Sequence, residues 1–498
     1  MASRTPAWAV AFVGISLSCS VAERAPRAEV VQVEPPPSVF VALPPPAPAE
    51  TAAAALPAAA ASSAAPPEPA PVSPPPPAEL YAIAREVVVR QRPQHDAQAI
   101  GVLRLGARVV RGAEPESRKG CSGGWYRVMP MGFVCAGNAA TTDPSHPALG
   151  LARMPDRGAA LPYAYGRAPA PPPRLTSFPP AGGKVRAPPE RWSDLEGAPI
   201  PAFLLGGGAL PRPQGYALAG DATVASQTPL NSGFALMSVF DHAQGRFGLS
   251  TDFELIPLER LERIRPSGFH GVDLQETPLP VVFVKARSSL LYSGEPRRGL
   301  TPLRQLGFRE AVPITGKRVR FAGVSYLETR SGDWLKDARL LRIDPPSTEL
   351  PSWAKGKRTW VHVSILQQSL VAYEGATPVY ATLVSTGIDG LGDPETTHST
   401  VRGSFLIHTK HVTNTMQGEE ENDEFLLADV PYVQYFQAGF ALHAAYWHDA
   451  FGTPRSHGCI NLSPLDARWL FHWTEPPVPQ AWHSALSLRE GTLVHITP

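Results

Sequence analysis

The sequence lacks an excess of charge of either sign. It carries 45 Lys and Arg residues against 44 Asp and Glu residues, a formal net charge of +1 over 498 residues. Proteins that bind nucleic acid through its phosphates need a basic surface, so this balance argues against a nucleic-acid partner. A chain of this length is expected to form about two to four domains.

Long apolar runs are scarce as well. The run from Ala7 to Ser18 is too short to span a bilayer, and Arg4 precedes it. A short apolar run behind a basic residue at the N-terminus is typical of an export signal. We therefore interpret residues 1–22 as such a signal.

Two routes of signal processing remain open. Ser20-Val21-Ala22 offers small residues for cleavage before Glu23, whereas Leu17-Ser18-Cys19-Ser20 resembles a lipoprotein box with Cys19 as the lipidated residue. The second route is favoured because a long tether follows. Either route predicts export to the periplasm or cell envelope, and lipidation would anchor the protein to the outer membrane.

Cysteine is rare, at four residues: Cys19, Cys121, Cys135 and Cys459. Cys121 and Cys135 can form a disulfide in an oxidising compartment. This pairing leaves Cys459 without a partner cysteine, as a nucleophilic thiol requires.

Proline, by contrast, is abundant, with 57 residues that cluster. Residues 23–79 are rich in Pro and Ala and poor in aromatic residues, which predicts a disordered tether. In polyproline-like geometry about fifty residues reach on the order of 150 Å. Residues 141–200 are again rich in Pro and Gly and are predicted to be a second linker.

Two regions between these segments have the pattern of small β modules. Residues 80–140 contain short alternating runs, such as Glu86–Arg90, separated by turn residues. Their order resembles a bacterial SH3-like domain. Residues 201–345 are also rich in strand-like runs, with a second SH3-like module predicted near 281–344. Binding of these modules to the cell wall and a spacer role both remain open.

The C-terminal region, residues 356–498, is predicted to be mainly β. Trp360–Ile365 and Leu370–Tyr373 read as a hairpin. The acidic segment 411–437 is expected to be a long loop that acts as a lid or a binding loop. Ser463-Pro464-Leu465-Asp466 has the residues of a helix start, and Leu465, Trp469 and Trp473 predict the buried face of that helix.

The stretch from Ser456 to Asn461, SHGCIN, carries the clearest chemical signal. A thiol becomes a good nucleophile when it loses its proton, and an imidazole within hydrogen-bond reach can accept that proton. His443 lies sixteen residues before Cys459. Gly458 allows a sharp bend, which can turn backbone amides toward an oxyanion.

This pattern resembles the signature of the L,D-transpeptidase (YkuD-type) catalytic domain. The resemblance covers about residues 357–498 and implies a β-sandwich with a short helix after the catalytic loop. It makes Cys459 the nucleophile and His443 the general base, oriented by the backbone carbonyl of residue 444. The backbone at Gly458 would help to stabilise the oxyanion. His457 would hold the loop or contact substrate. Further candidates for the loop or for substrate binding are Ser456, Asn461, His448 and Tyr446.

The resemblance implies acyl transfer on peptidoglycan stem peptides without a cofactor or metal. The peptide bond before a terminal D-alanine is broken, a thioester forms on the cysteine, and an amine resolves it. The acceptor amine, on another stem, a protein or a free D-amino acid, is left open. Water as the acceptor would make the enzyme an L,D-carboxypeptidase.

Two other classes were weighed. Ten of the 14 histidines follow residue 360, which makes a zinc-dependent wall peptidase an alternative. However, no HExxH motif is present. An inactive wall-binding protein would lack the Cys or the His. Because Cys459 and His443 are both present, catalysis is the favoured prediction.

Overall fold

The computed structural model of this chain describes residues 77–170, 174–175, 192–207, 213–216, 230–346, 350–354, 356–418, 424–487 and 489–498. The predicted export signal, Cys19 and the tether up to residue 76 lie outside the described residues. In the described part, strands dominate and one α-helix occurs, which confirms the mainly-β prediction. No helix in these ranges is long and apolar enough to cross a bilayer.

The first module consists of short strands within the predicted range 80–140. The strands are β1 (Glu79–Ala82), β2 (Glu86–Arg90), β3 (Ala99–Arg104), β4 (Arg108–Val110), β5 (Trp125–Arg127), β6 (Phe133–Cys135) and β7 (Ala140–Thr141). Alternation along β2 buries Val87 and Val89, as expected for a strand with one face on a core. The structure contains the disulfide between Cys121 and Cys135.

Part of the predicted linker 141–200 is folded. The strands of this central region are β8 (Ala164–Arg167), β9 (Gly233–His242), β10 (Gly245–Ser250), β11 (Leu255–Pro257), β12 (Glu262–Ile264) and β13 (Val272–Asp273). β8 pairs with both β9 and β12, and Tyr165 and Trp192 are completely buried. The linker prediction is wrong there, because aromatic residues scattered among Pro and Gly reach a core. Short 3-10 helices span Pro147–Gly150, Ala202–Gly207, Leu258–Arg260 and Ser352–Ala354.

The second module occupies the predicted range near 281–344. Its strands are β14 (Val281–Val284), β15 (Leu290–Glu295), β16 (Gly299–Gln305), β17 (Ala311–Phe321), β18 (Val324–Thr329), β19 (Trp334–Lys336) and β20 (Leu340–Ile343). They form one antiparallel sheet in the order β16-β15-β19-β18-β17-β14-β20. Its core includes Val282, Ile314 and Leu327. An SH3-like fold for either module stays a prediction.

The C-terminal region contains the remaining strands and the helix. These are β21 (Thr359–Ser364), β22 (Ser369–Glu374), β23 (Thr377–Leu383), β24 (Gly403–Leu406), β25 (Thr409–Gly418), β26 (Phe425–Gln437), β27 (Phe440–Ala444), β28 (Ile460–Leu462), α1 (Pro464–Trp473), β29 (Ser484–Leu486) and β30 (Leu493–Thr497). The predicted β21–β22 hairpin is present, with Val361 paired to Ala372.

Two sheets of this region share one core. The first has the order β13-β23-β22-β21-β30-β24, and the second contains β25 to β29. Val363 of the first sheet and Leu442 of the second belong to the same buried cluster. Strands from upstream extend both sheets: β13 pairs with β23, β9 meets β26, and β3 pairs with β29.

The segment 411–437 is a hairpin rather than a loop. β25 and β26 pair antiparallel from Thr409 opposite Tyr435 to Gly418 opposite Phe425. Tyr432 and Tyr435 are completely buried, so this segment supplies core. Most of the acidic residues that suggested a loop belong to residues 419–423, which lie outside the described part.

Helix α1 begins where the sequence predicted. Ser463 caps it by accepting a hydrogen bond from Asp466 N at 3.1 Å, and Pro464 occupies the first turn. The predicted packing face is correct in part: Ala467, Leu470 and Phe471 are the buried residues, and Trp469 and Trp473 pack against the same core. Leu465, Trp469 and Trp473 are half-buried, and Trp469 stacks on Tyr380 at a ring distance of 4.1 Å.

A buried ion pair joins the first module to the C-terminal region. Arg104, at the end of β3, donates hydrogen bonds to both carboxylate oxygens of Asp429 in β26. The bond from Nη2 to Oδ2 is 3.2 Å long. Thr413 also donates to Asp429, at 2.5 Å. Burial by itself would raise the pKa of Asp429, but the Arg104 guanidinium outweighs it and holds this pKa well below its usual range.

Candidate active site

Two parallel strands bring the predicted nucleophile and base together. β27 carries His443, and β28 begins at the residue after Cys459. Their register pairs Leu442 with Ile460 and His443 with Asn461. Cys459 therefore lies two residues from the position directly opposite His443.

Cys459 is a buried thiol. It is 5% exposed, takes part in no disulfide, and points its Sγ at the carbonyl oxygen of Gly439, 3.7 Å away. Burial among apolar groups disfavours a thiolate. A base near Cys459 is therefore needed to make it nucleophilic.

His443 has the orientation of such a base. Its ring is 2% exposed, and its Nδ1 lies 3.2 Å from the carbonyl oxygen of Ala444. A carbonyl only accepts, so Nδ1 carries the hydrogen and Nε2 keeps its lone pair. The ring of Trp447 packs against His443 at 5.7 Å and limits its movement. This agrees with the expectation that the carbonyl of residue 444 orients the imidazole.

Gly458 is required by the shape of the loop. Its φ is +116°, a conformation that side chains rarely adopt. A Cβ there would lie 2.6 Å from the ring of Phe440. The Gly458 N–H donates to Ser456 Oγ at 3.1 Å, and its carbonyl accepts from Thr400 Oγ1 at 2.7 Å. Because this N–H already has an acceptor, the geometry does not favour it as the oxyanion donor.

Ser456 closes the loop around the cysteine. Its hydroxyl donates to the carbonyl of Cys459 and accepts from Gly458 N. The backbone N–H groups of Arg455 and Ser456 both donate to the carbonyl of Thr386, at 2.8 and 3.0 Å. These bonds fix the loop to the end of β23, which supports the loop-holding role predicted for Ser456.

Asn461 and His448 form a second support behind the cysteine. Asn461 exchanges two backbone hydrogen bonds of 2.9 Å with Ser385. Its side-chain amide lies 2.9 Å from His448 Nε2, and His448 Nδ1 accepts from Ala450 N–H at 3.2 Å. Burial, with Arg455 adding to it, lowers the pKa of His448 to about 3, so its ring is neutral near neutral pH.

His457 lies at the outer side of the loop. Its ring contacts His398 at 4.6 Å and Phe425 at 5.0 Å, and it is half-exposed. His398 belongs to the segment between β23 and β24, and Phe425 begins β26. His457 therefore sits where substrate and loop contacts are both available, and its role stays a prediction.

Tyr446, predicted to bind substrate, is part of the core. Its hydroxyl donates to the carbonyl of Ala428 at 3.0 Å, and its ring packs on Tyr165 at 4.4 Å. It is 5% exposed. This environment supports a packing role for Tyr446, and its binding role stays a prediction.

The loop between His443 and Cys459 is held by residues from earlier regions of the chain, and the sequence did not predict these contacts. Asp449 accepts from Ser267 Oγ at 2.7 Å and from Arg309 Nη2 at 2.6 Å. Ser267 lies between β12 and β13, and Arg309 lies in the second module. No local pattern reveals these partners, because they are far away in the sequence.

Asp466 in α1 is held from upstream in the same way. Its carboxylate accepts from Gly271 N at 2.8 Å, Tyr380 OH at 2.7 Å and Thr382 Oγ1 at 2.6 Å. A Cβ on Gly271 would lie 2.3 Å from the carbonyl of Ala381, so glycine is needed for this close approach. The segment before β13 thus contacts both the loop after His443 and the helix after Cys459.

Metal ligands do not converge in the described ranges. No group of three or more His, Cys, Asp or Glu side chains there is arranged to hold a metal ion. The zinc-peptidase alternative has no ligand set in this part of the chain.

The C-terminal region matches a known family. Residues 358–496 match the model of the L,D-transpeptidase catalytic domain, YkuD. A curated relative is the putative L,D-transpeptidase YciB of Bacillus subtilis (strain 168). It is 28% identical over 150 residues, which are 28% of this chain and 68% of the relative.

Two solved structures are similar at low scores. The L,D-transpeptidase of Xylanimonas cellulosilytica is 21% identical, over 31% of this chain and 64% of that one, with a TM-score of 0.22. The catalytic domain of the E. faecium L,D-transpeptidase is 21% identical, over 28% of this chain and 98% of that one, with a TM-score of 0.22. The chain thus spans just under two thirds of the first structure, and such scores add no argument to the family match. The family match and the predicted motif agree: residues 358–496 are an L,D-transpeptidase (YkuD) catalytic domain.

Proposed function

We propose that this protein transfers an acyl group from a peptidoglycan stem peptide to an amine through a thioester on Cys459. One observation carries the proposal. His443 lies in β27, Cys459 directly precedes the neighbouring parallel strand β28, and Nδ1 of His443 is hydrogen-bonded to the Ala444 carbonyl. The other ring nitrogen is therefore left as the base.

In the first step His443 Nε2 accepts the thiol proton, and the sulfur attacks the carbonyl carbon before the terminal D-alanine of a stem tetrapeptide. Negative charge develops on the carbonyl oxygen, and backbone N–H groups near Cys459 stabilise it. The C–N bond then breaks, and His443 returns the proton to the departing D-alanine amine. A thioester remains on Cys459.

In the second step an amine attacks the thioester. His443 accepts a proton from the attacking nitrogen and delivers it to the sulfur as the C–S bond breaks. The products are a new amide and the free thiol. A second stem, a protein amine or a free D-amino acid can serve as the acceptor, whereas water would give a carboxypeptidase.

The test uses purified protein with a disaccharide-tetrapeptide, and product masses are read by mass spectrometry. We expect loss of one D-alanine together with a cross-linked dimer. Cys459→Ser should be nearly inactive, because a hydroxyl is much harder to ionise than a thiol. His443→Ala should lower the rate by roughly 10²–10⁴-fold.

The controls separate the alternatives. His448→Ala should have a smaller effect than His443→Ala, since His448 is not proposed to accept the thiol proton. A wild-type rate in Cys459→Ser would contradict the mechanism. Loss of D-alanine without a dimer would indicate the carboxypeptidase.

We also propose that the protein is exported and anchored in the cell envelope through Cys19. The export signal and the Pro/Ala-rich tether support this proposal. The acyl chains of a mature lipoprotein give stable membrane attachment. Cys19→Ala should move the protein from the membrane fraction to the soluble periplasm, and a soluble wild type with an N-terminus at Glu23 would contradict the anchor.

A further inference from the structure

We propose that a groove between the central region and the loop after His443 binds the acyl acceptor as an acidic peptide. This inference rests on the proposed function, because it names the second substrate of the same site. The groove has a volume of about 500 Å³. One wall is Tyr446, Trp447, His448 and Asp449, and the other is residues 262–268 with Arg167.

The position of the groove follows the chemistry of the second step. The acceptor amine must lose a proton to His443, so the acceptor has to approach from the histidine side of the thioester. Trp447 packs against His443 at 5.7 Å, and His448 contacts the Asn461 side chain at 2.9 Å. These same two side chains line the groove. A peptide in the groove is thus separated from His443 by one indole ring.

Charge in the groove favours carboxylates. Three guanidinium groups line it, from Arg167, Arg263 and Arg265, against the carboxylates of Glu262 and Asp449. His448, with its pKa of about 3, adds no charge near neutral pH. The lining therefore has an excess of one positive charge.

The partners of these arginines leave two of them available. Arg167 pairs with Glu262 at 2.9 Å, while Arg263 and Arg265 share Asp194 at 3.5 and 3.6 Å. The side chain of Arg265 is 70% exposed, so its ion pair is worth little. Arg263 is less available, because its side chain is 14% exposed and its guanidinium lies over the ring of Trp192, so Arg265 and Arg167 are the groups that can reach a ligand. Guanidinium groups bind carboxylates with two parallel hydrogen bonds.

A neighbouring groove is a weaker candidate. It has a volume of about 480 Å³ and is lined by Phe269, Phe308, Arg309 and Glu310, among others. It shares Asp449 and Ser267 with the first groove, but neither Trp447 nor His448 lines it. Nothing therefore connects it to His443.

The proposal assigns acceptor recognition to residues outside the catalytic domain. Arg167, Arg263 and Arg265 all precede residue 358, where the family match begins. Chains with the same catalytic motif but another upstream region would then differ in acceptor while sharing the donor chemistry.

Binding is tested on the full chain with Cys459→Ala, which cannot turn over. The probes are a stem tetrapeptide with free carboxylates and the same peptide with its carboxylates amidated. Titration is followed by calorimetry and by the fluorescence of the tryptophans. We expect the acidic peptide to bind at least fivefold more tightly than the amidated one, and Arg265→Gln to remove most of that difference. Arg298→Gln, at an 81% exposed side chain outside the groove, is the matched control and should change neither affinity.

Turnover provides the second readout. For transfer to the acidic acceptor, Arg265→Gln should raise KM several-fold and leave kcat within about twofold. Equal affinity for the two peptides in the unsubstituted groove, or an equal loss for both on Arg265→Gln, would overturn the proposal. Failure of the proposed function is distinguishable, because Cys459 would then form no acyl adduct while peptide binding to the Cys459→Ala protein would still report on the groove.

Discussion

The two small β modules contact the catalytic domain with different chemistry. The first does so through the Arg104–Asp429 ion pair, in which both side chains are at least nine-tenths buried. The second does so through Arg309 and Asp449; the Arg309 side chain is 9% exposed, but the Asp449 side chain is 55% exposed. A pair with both partners buried is costly to break, whereas a pair whose carboxylate stays in solvent contributes less to stability.

The places of contact differ as well. Asp429 lies in β26, a strand of the sheet core, while Asp449 lies in the loop that joins His443 to Cys459. The deeper contact is therefore expected to govern folding. The shallower contact is expected to govern the position of the catalytic loop.

Breaking the deep contact should have the largest effect on stability. Arg104→Met leaves the Asp429 carboxylate buried and unpaired, which costs about 3–5 kcal/mol. Urea unfolding measures this loss. The double variant Arg104→Met with Asp429→Asn carries no buried charge and should recover part of it. A loss of less than 1 kcal/mol in the single variant would mean that the first module is held by other contacts.

The disulfide tests whether the first module is stable by itself. Replacing Cys121 and Cys135 by Ala opens a loop of 14 residues, which should cost about 3 kcal/mol through chain entropy. Unfolding of the first module, followed by the fluorescence of Trp125, should shift to lower urea. The rate at which a carbapenem acylates Cys459 should stay the same, and a slower rate would show that the first module also shapes the site.

Breaking the shallow contact should have the smallest effect on stability and a visible effect on rate. Arg309→Met keeps an apolar stem over Phe269 and removes the hydrogen bond to Asp449, so we expect at most about 1 kcal/mol of destabilisation. Acylation of Cys459 should slow several-fold, as measured by intact-mass spectrometry over time. Arg318→Met, at an exposed pair in the same module, is the control. An unchanged rate in Arg309→Met would remove the proposed link to the loop.

Features set by short stretches of sequence were predictable. The cap of α1 depends on Ser463 and Asp466, three residues apart, and the loop around Cys459 depends on Ser456 and Gly458. Alternation predicted β2, where one residue in two faces a core, and a continuous apolar run predicted β14, where every residue is buried. Thr400, which holds Gly458, belongs to the Thr-x-x-Gly stretch before β24 and could have been found.

Features set by distant partners were not predictable. Arg309 and Ser267 matter because they donate hydrogen bonds to Asp449, which lies more than 100 residues later in the chain. Tyr446 follows His443 closely in the sequence, yet its contacts with Tyr165 and Ala428 place it in the core. The acidic composition of 411–437 gave no sign of β25 and β26, because the pairing of those strands decides their structure.

The added strands β13 and β3 have a consequence for the boundaries of the enzyme. β13 covers the edge of β23, and β3 covers the edge of β29. A fragment cut at residue 357 would present both edges as rows of unpaired N–H and C=O groups, which is the usual starting point for aggregation between sheets. The region that matches the family by sequence is thus shorter than the region whose sheet edges are protected. A soluble fragment should begin before residue 272, and the edge of β29 would still need a pairing strand in place of β3.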